Sequence, residues 1–470
     1  MAKFNAYRMA GHLAFIILLT YSAYFFLERT IFIDSACQIF NLIQAKTFQV
    51  YAGRYGVVFS ELIPLVAVHS GLQLKTILFV ISIAPVLLYY FVFLLCSYFL
   101  KSDAAGLCIP LILILCVRDS FYLIGTEATQ GLVYIMLFFA WLYWKKRKNN
   151  MWHSIITLLL ILLCVITHPV TLIPLFFVAC YYAIEQGWTN WKNLVIPCTI
   201  AVLSILKLII GHTTSHDGMH LSKVNADNAI QAIPDFFQMF AVNFFIRHTF
   251  IESNRYLLWL ILVVITACVL IYQRKYLKFT WMTCGIFVFF FISNMVYKDG
   301  EAGIMMDKAL APLSIFVGVP LMVEVLNEKY KKSYVVLFVL VVIVFLRIRD
   351  ISLTGKTYTK RLAYIERVLD YTKQFPERKF VIERKNISEK HIKVPWAFAF
   401  ETLLFSSIQN PDSSRTVYIV DDINAFETNS QNKNLFLAAP FWRDMRIDDL
   451  NLTYFNLPKE KYRIIGEKIQ

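Results

Sequence analysis

Long apolar runs separated by short polar stretches fill the first 350 or so positions of this 470-residue chain. A helix needs roughly 20 apolar residues to cross a bilayer, with a range of about 17–25. Eleven segments approach that pattern: 9–27, 77–100, 104–117, 131–144, 151–167, 170–183, 194–211, 256–272, 279–296, 310–325 and 333–346. The third, fourth and sixth are short by this rule; lengthening them places flanking semi-polar residues inside the protein. The pattern predicts a polytopic α-helical membrane protein with about 11 transmembrane helices.

Three further stretches are amphipathic. Phe32, Ala36, Ile39, Phe40 and Ile43 recur at helical spacing, as do Val58, Leu62, Leu65 and Val66, which predicts two interfacial helices lying on the membrane. Ile230, Ile233, Phe236, Phe237, Phe240, Phe244 and Phe245 predict a third over 228–247. The pattern changes near 348. Residues 356–373 have helical periodicity, with Leu362, Ile365 and Leu369 on one stripe, and 380–382 and 417–420 read as short buried strands. The chain therefore divides into a transmembrane module, 1–348, and a small C-terminal α/β domain, 349–470. No internal repeat or low-complexity stretch is present, and the tail carries no known catalytic or phosphate-binding motif.

Composition sharpens this picture. The chain is 58% hydrophobic and 17% charged, with a mean hydropathy of +0.57, which excludes a soluble enzyme. Forty-six Lys and Arg against 32 Asp and Glu give +14, a balance that could point to nucleic acid. Placement argues otherwise. With the N-terminus inside, alternate loops carry Lys3 and Arg8, Lys101, the run 145–148, Lys192, then Arg274, Lys275 and Lys278, and finally Lys329, Lys331 and Lys332. These fourteen residues obey the positive-inside rule six times. The charge is topology, the partner is a lipid bilayer, and no nucleic acid is expected. The N-terminus is expected to be cytoplasmic and the C-terminus extracytoplasmic, in a bacterial inner (plasma) membrane. The first run has no small-residue cleavage site after it and reads as an uncleaved anchor. Eight of the nine cysteines fall in or beside apolar runs, so no disulfide framework is expected.

Ionisable groups at the outer ends of the spans carry the candidate chemistry. Asp34 opens the first amphipathic stretch and Glu127 precedes the fourth span; each could equally be a helix N-terminal acid. Arg54 and Lys308 could bind phosphate or snorkel to the interface. His168 interrupts an apolar hairpin just before Pro169, as a turn residue or a substrate contact. A looser constellation, His212, His216, Asp217 and His220, has spacing that permits metal ligation, although loop histidines are commonly unligated. A divalent metal is possible but not favoured, and no other cofactor is expected.

Taken together, the spaced pattern resembles the GT-C class of integral-membrane glycosyltransferases, especially relatives of protein O-mannosyltransferases and lipid A aminoarabinose transferase. The matching residues are Asp34 with the helix after it, then Gly53-Arg54-Tyr55-Gly56 and 61–65, then 125–128 around Glu127. The hairpin Thr167-His168-Pro169-Val170 and the segment from Lys308 to Pro312 continue it over about residues 1–350. Ser35 follows Asp34 where many members carry Asp-Glu. The resemblance implies transfer of a sugar from a polyprenyl-phosphate donor to a lipid, glycan or protein acceptor on the extracytoplasmic side, with inversion. Asp34 is then the general base, Glu127 orients the acceptor or shares that role, and Arg54, Tyr55, His168 and Lys308 bind substrate. Two rivals stand beside this reading. A polysaccharide polymerase or ligase using a lipid-linked oligosaccharide would place its groups in 212–255. A transporter or flippase would show paired repeats and broken mid-membrane helices.

Overall fold

The computed structural model describes residues 5–124, 127–144, 151–211, 218, 222–326, 330–427, 433–438 and 444–469. Helices make up most of it. In chain order these are α1 (Ala6–Tyr24), α2 (Phe26–Thr30), α3 (Ile33–Ala45), α4 (Val58–His69), α5 (Leu74–Leu94), α6 (Asp103–Leu115), α7 (Glu127–Leu142), α8 (Met151–Val165), α9 (Leu172–Gln186) and α10 (Trp191–Gly211). They continue as α11 (Ala226–Ala232), α12 (Phe240–Ile246), α13 (Leu257–Tyr272), α14 (Tyr276–Val296), α15 (Gly303–Leu310), α16 (Leu313–Pro320) and α17 (Tyr334–Thr372).

Among the described residues, five helical stretches are long and apolar enough to cross a membrane: Leu74–Phe99, Pro169–Gln186, Trp191–Ile210, Tyr276–Val296 and Gly303–Val325. The remaining apolar runs are also helical, but several are short. α6, for instance, has 13 residues and is about 20 Å long, less than the roughly 30 Å hydrocarbon layer. Its residues 105–115 are all buried, and α7 is buried along nearly its whole length. These helices are packed in protein, so nothing requires them to match a lipid thickness. By contrast α10 exposes Val195, Val202, Ile205, Leu206, Ile209 and Ile210, an apolar surface that suits hydrocarbon rather than water.

Ion pairs gather at two ends of the bundle. At one, Arg8 Nε meets Asp103 at 2.6 Å, and Glu324 takes Lys275 at 2.5 Å and Lys278 at 2.6 Å. At the other, the buried Asp307 carboxylate accepts from the backbone N–H groups of Arg118 and Ser120, both at 2.9 Å, and from Ser120 Oγ at 2.8 Å. Arg255 bridges Asp307 and Asp119 at 3.2 and 2.5 Å.

Two sequence expectations are corrected. The stretch 228–247 is not one helix: it breaks between α11 and α12 around Pro234, which lacks a backbone N–H and disfavours a helical residue before it. The apolar face of α3 does not lie on a membrane either. Phe40 packs against Phe400, Phe455 and Phe436, with ring centroids 5.1, 5.2 and 5.4 Å away, and Ala36 and Ile43 are fully buried. The face is used to dock the C-terminal region.

That region begins inside a helix. The 39-residue α17 runs unbroken from Tyr334 to Thr372, so the division drawn at 348/349 falls within it. Beyond it come β1 (Lys379–Glu383), α18 (Phe398–Ser406), β2 (Thr416–Val420), β3 (Leu435–Phe436), β4 (Met445–Arg446) and β5 (Arg463–Ile465). β1 pairs in parallel with β2 and with β5, giving the order β2-β1-β5. Both strand expectations, at 380–382 and 417–420, lie within this sheet.

Candidate functional site

A tight turn delivers Arg54 to the end of the bundle that holds Asp307. Ala52 and Gly53 adopt φ of +50° and +67°, the left-handed conformation that glycine accepts without a Cβ penalty. The Arg54 N–H donates to Tyr51 O at 3.0 Å. After the turn, Gly56 presses on the 167–171 hairpin: a Cβ there would stand 2.2 Å from Thr167 Oγ1. Gln130 of α7 completes the joint, donating from Nε2 to Gly56 O at 2.6 Å and accepting from Ser60 Oγ at 3.0 Å. Tyr55 is 58% exposed and points away from this packing.

Glu127, the first residue of α7, is only 3% exposed. Its Oε2 lies 3.7 Å from Arg54 Nη1, too far for a hydrogen bond, and accepts none among the described residues. A buried carboxylate oxygen in that state is costly unless a ligand or solvent serves it. Asp34 sits in the first turn of α3 but does not cap it, because the cap position is Phe32 and no side chain bonds there. Burial raises the Asp34 carboxyl, Glu127 and Glu301 raise it further, and the positive charges of Lys308 and Arg54 oppose the shift. Arg54, Glu127 and Lys308 therefore all lie within electrostatic reach of Asp34. Ser35 strengthens the junction, since its Oγ accepts from the Ile124 N–H at 3.0 Å just ahead of Glu127.

Lys308 owes its position to its neighbour, for Asp307 is the hub of the buried network described above. His168 has a structural role, capping the short helix Pro169–Thr171 with Nδ1 accepting from the Val170 N–H at 3.1 Å. Its backbone also lies next to Thr167, against Gly56. His212, His216, Asp217 and His220 lie outside the described residues. Among the described residues no group of three His, Cys, Asp or Glu side chains is arranged to hold a metal. All nine cysteines are free thiols.

A cavity of about 50 Å³ opens beside Glu127, lined by Ser35, Gln38, Ser60, Glu61 and Gln130 together with apolar side chains. It is large enough for one or two water molecules. Burial pushes the Glu61 carboxyl up to about 7, against a bond from the Gln49 N–H at 2.7 Å and with added repulsion from Glu127. A second, wider cleft of about 610 Å³ lies between 238–252 and Lys298, with Arg247, His248 and Glu252 on its wall.

Sequence reasoning missed three charged neighbours of this site. Glu301 reaches Asp34 through the loop after α14. Glu61 entered only as the first residue of the 61–65 stretch matched to the GT-C pattern, with no role of its own. Lys207 donates from Nζ to Gly53 O at 3.1 Å and brings a third cation to the Arg54 turn. Its signal was a lysine near the end of an apolar span, a residue type that seldom sits there without a partner. No protein-family model matches this chain, and no curated protein or solved structure matches it.

Proposed function

We propose that the chain is an integral-membrane glycosyltransferase of GT-C type, with eleven membrane-crossing segments and its site on the extracytoplasmic side of a bacterial inner membrane. A single observation carries the reading: at one end of an apolar helical bundle Asp34 feels the charges of Arg54, Glu127 and Lys308, and Arg54 stands 3.7 Å from Glu127. A polyprenyl-phosphate sugar is the substrate that suits such a place, since its lipid stays in the bilayer and its phosphate meets cations at the surface.

The step follows from these groups. An acceptor hydroxyl oxygen bonds to the anomeric carbon as the bond from that carbon to the phosphate oxygen breaks. The hydroxyl proton passes to Asp34, and polyprenyl phosphate leaves with the bonding electron pair. The leaving group is already an anion, so no strong acid is required; Arg54 and Lys308 stabilise the charge that grows on it. A base works best with a pKa near the working pH, and burial moves Asp34 in that direction. One in-line displacement inverts the anomeric centre. Glu127, on the wall of the small cavity, orients the acceptor hydroxyl.

The test is transfer of a labelled sugar from polyprenyl phosphate by purified protein in proteoliposomes. D34N is expected to lower kcat by about 10²–10⁴ with an unchanged thermal midpoint. Undiminished transfer by D34N contradicts the assignment. A polymerase acting on lipid-linked oligosaccharide is the second reading, favoured by the size of the 238–252 cleft. On that reading R247A abolishes transfer while D34N and E127Q remain active.

A further inference from the structure

The residue before Asp34 has an improbable backbone. Ile33, the first residue of α3, has φ of +37°. A β-branched side chain is rarely found in the left-handed region, which is disfavoured there by roughly five- to a hundredfold. Such a conformation persists only when its surroundings impose it.

What imposes it comes from the far end of the chain. The Ile33 N–H donates to Glu401 Oε1 at 2.6 Å. Glu401, on α18, is completely buried and takes Arg361 Nη2 on both carboxylate oxygens, each at 2.6 Å. Arg361 in turn donates from Nη1 to Ile31 O at 3.3 Å and lays its guanidinium 4.9 Å above the Phe32 ring. One ion pair thus grips three consecutive residues, 31 to 33, directly before Asp34. A buried pair of this kind adds little to stability by itself, whereas its bonds to the backbone fix the geometry of the α2–α3 corner.

We propose that Glu401 and Arg361 are positioning residues: together they hold Ile33 in its left-handed conformation and so set the direction in which the Asp34 carboxylate faces. This rests on the reading of Asp34 as the base, and gives the C-terminal region a part in the reaction. Asp34 itself receives no hydrogen bond among the described residues, and its bearing depends on the backbone that carries it.

The test separates the corner from the chemistry. Full-length D34C protein in proteoliposomes is treated with a thiol reagent, and alkylation at position 34 is read by peptide mass spectrometry. E401Q is expected to change that rate by about fivefold or more, the population shift released at one strained residue. Adding I33G restores the rate to within about twofold, because glycine takes positive φ without a Cβ penalty. Adding I33A does not: it vacates nearly the same volume but keeps the Cβ. E401D keeps the charge and withdraws the oxygen by one methylene; it is read the same way should E401Q yield no folded protein. A rate unchanged by both Glu401 variants, or I33A restoring as well as I33G, overturns the proposal. In the Asp34 protein, E401Q lowers kcat for sugar transfer and I33G/E401Q recovers it, with KM for the lipid donor unchanged throughout. Alkylation that shifts in a protein that transfers no sugar leaves the corner standing and removes the glycosyl-transfer reading. Unchanged alkylation in an active protein removes the corner alone.

Discussion

Glu61 lies outside the proposed chemistry but lines the cavity beside Glu127. Its carboxyl is raised from 4.5 to about 7, first by burial and then by Glu127. A raised carboxyl binds its proton more tightly folded than unfolded, so between about pH 4.5 and pH 7 stability falls as pH rises. E61Q keeps an acceptor for the Gln49 N–H and removes the titration. Relative to wild type, E61Q is expected to gain about 1–3 kcal/mol of stability on going from pH 4.5 to pH 8. Thermal midpoints of the two proteins across that range check it; parallel curves contradict it. At this scale the candidate site was partly legible. Asp34, Arg54, Glu127 and Lys308 stand out because a charge at the end of an apolar run must have a reason to be there. Glu61 did not, because what distinguishes it is burial and a partner 12 positions away, neither of which a local pattern encodes, whereas Lys207 carried the same end-of-run signal and was passed over. The capping explanation for Asp34 also needed coordinates to dismiss, since a first-turn acid looks the same whether or not it bonds the helix end.

Among the elements, the turn that carries Arg54 depends on close packing against the 167–171 hairpin. G56A would drive a methyl group into Thr167 and is expected to cost about 1–3 kcal/mol, the usual penalty for overpacking. In a T167G background, which lacks the Oγ1, Cβ and Cγ2 atoms the methyl group would meet, the same substitution is expected to cost much less, as denaturation midpoints would report. If G56A is silent, the turn is not seated as described. Hydrophobic periodicity found the helices but misjudged what their faces meet. The stripe of α3 looks like an interfacial helix, yet it buries Phe40 among three phenylalanines from the C-terminal region. Periodicity says that a face is apolar and leaves open whether lipid or protein covers it. α17 is the opposite lesson. Arg347, Arg349 and Asp350 interrupt hydropathy without interrupting the helix, because Arg347 is buried and satisfied by the carbonyls of Ile114, Val117 and Arg255.

For the whole molecule, the two charged ends of the bundle make topology testable. Tyr55, Lys101 and Lys192 are all exposed, and the charge pattern places the first outside and the other two inside. An impermeant thiol reagent added to intact cells is expected to label Y55C and to spare K101C and K192C until the membrane is opened. The reverse pattern would place the site on the cytoplasmic face. The central claim is that one lipid phosphate is held between the Arg54 turn and Lys308. It is tested most directly by a photoreactive polyprenyl phosphate bound to the protein in proteoliposomes and mapped by peptide mass spectrometry. Labelled peptides are expected to carry Tyr55 and Lys308, and K308A should weaken labelling by about tenfold or more, the loss of one charge-assisted contact. Labelling confined to 238–252, or undiminished in K308A, would contradict the account.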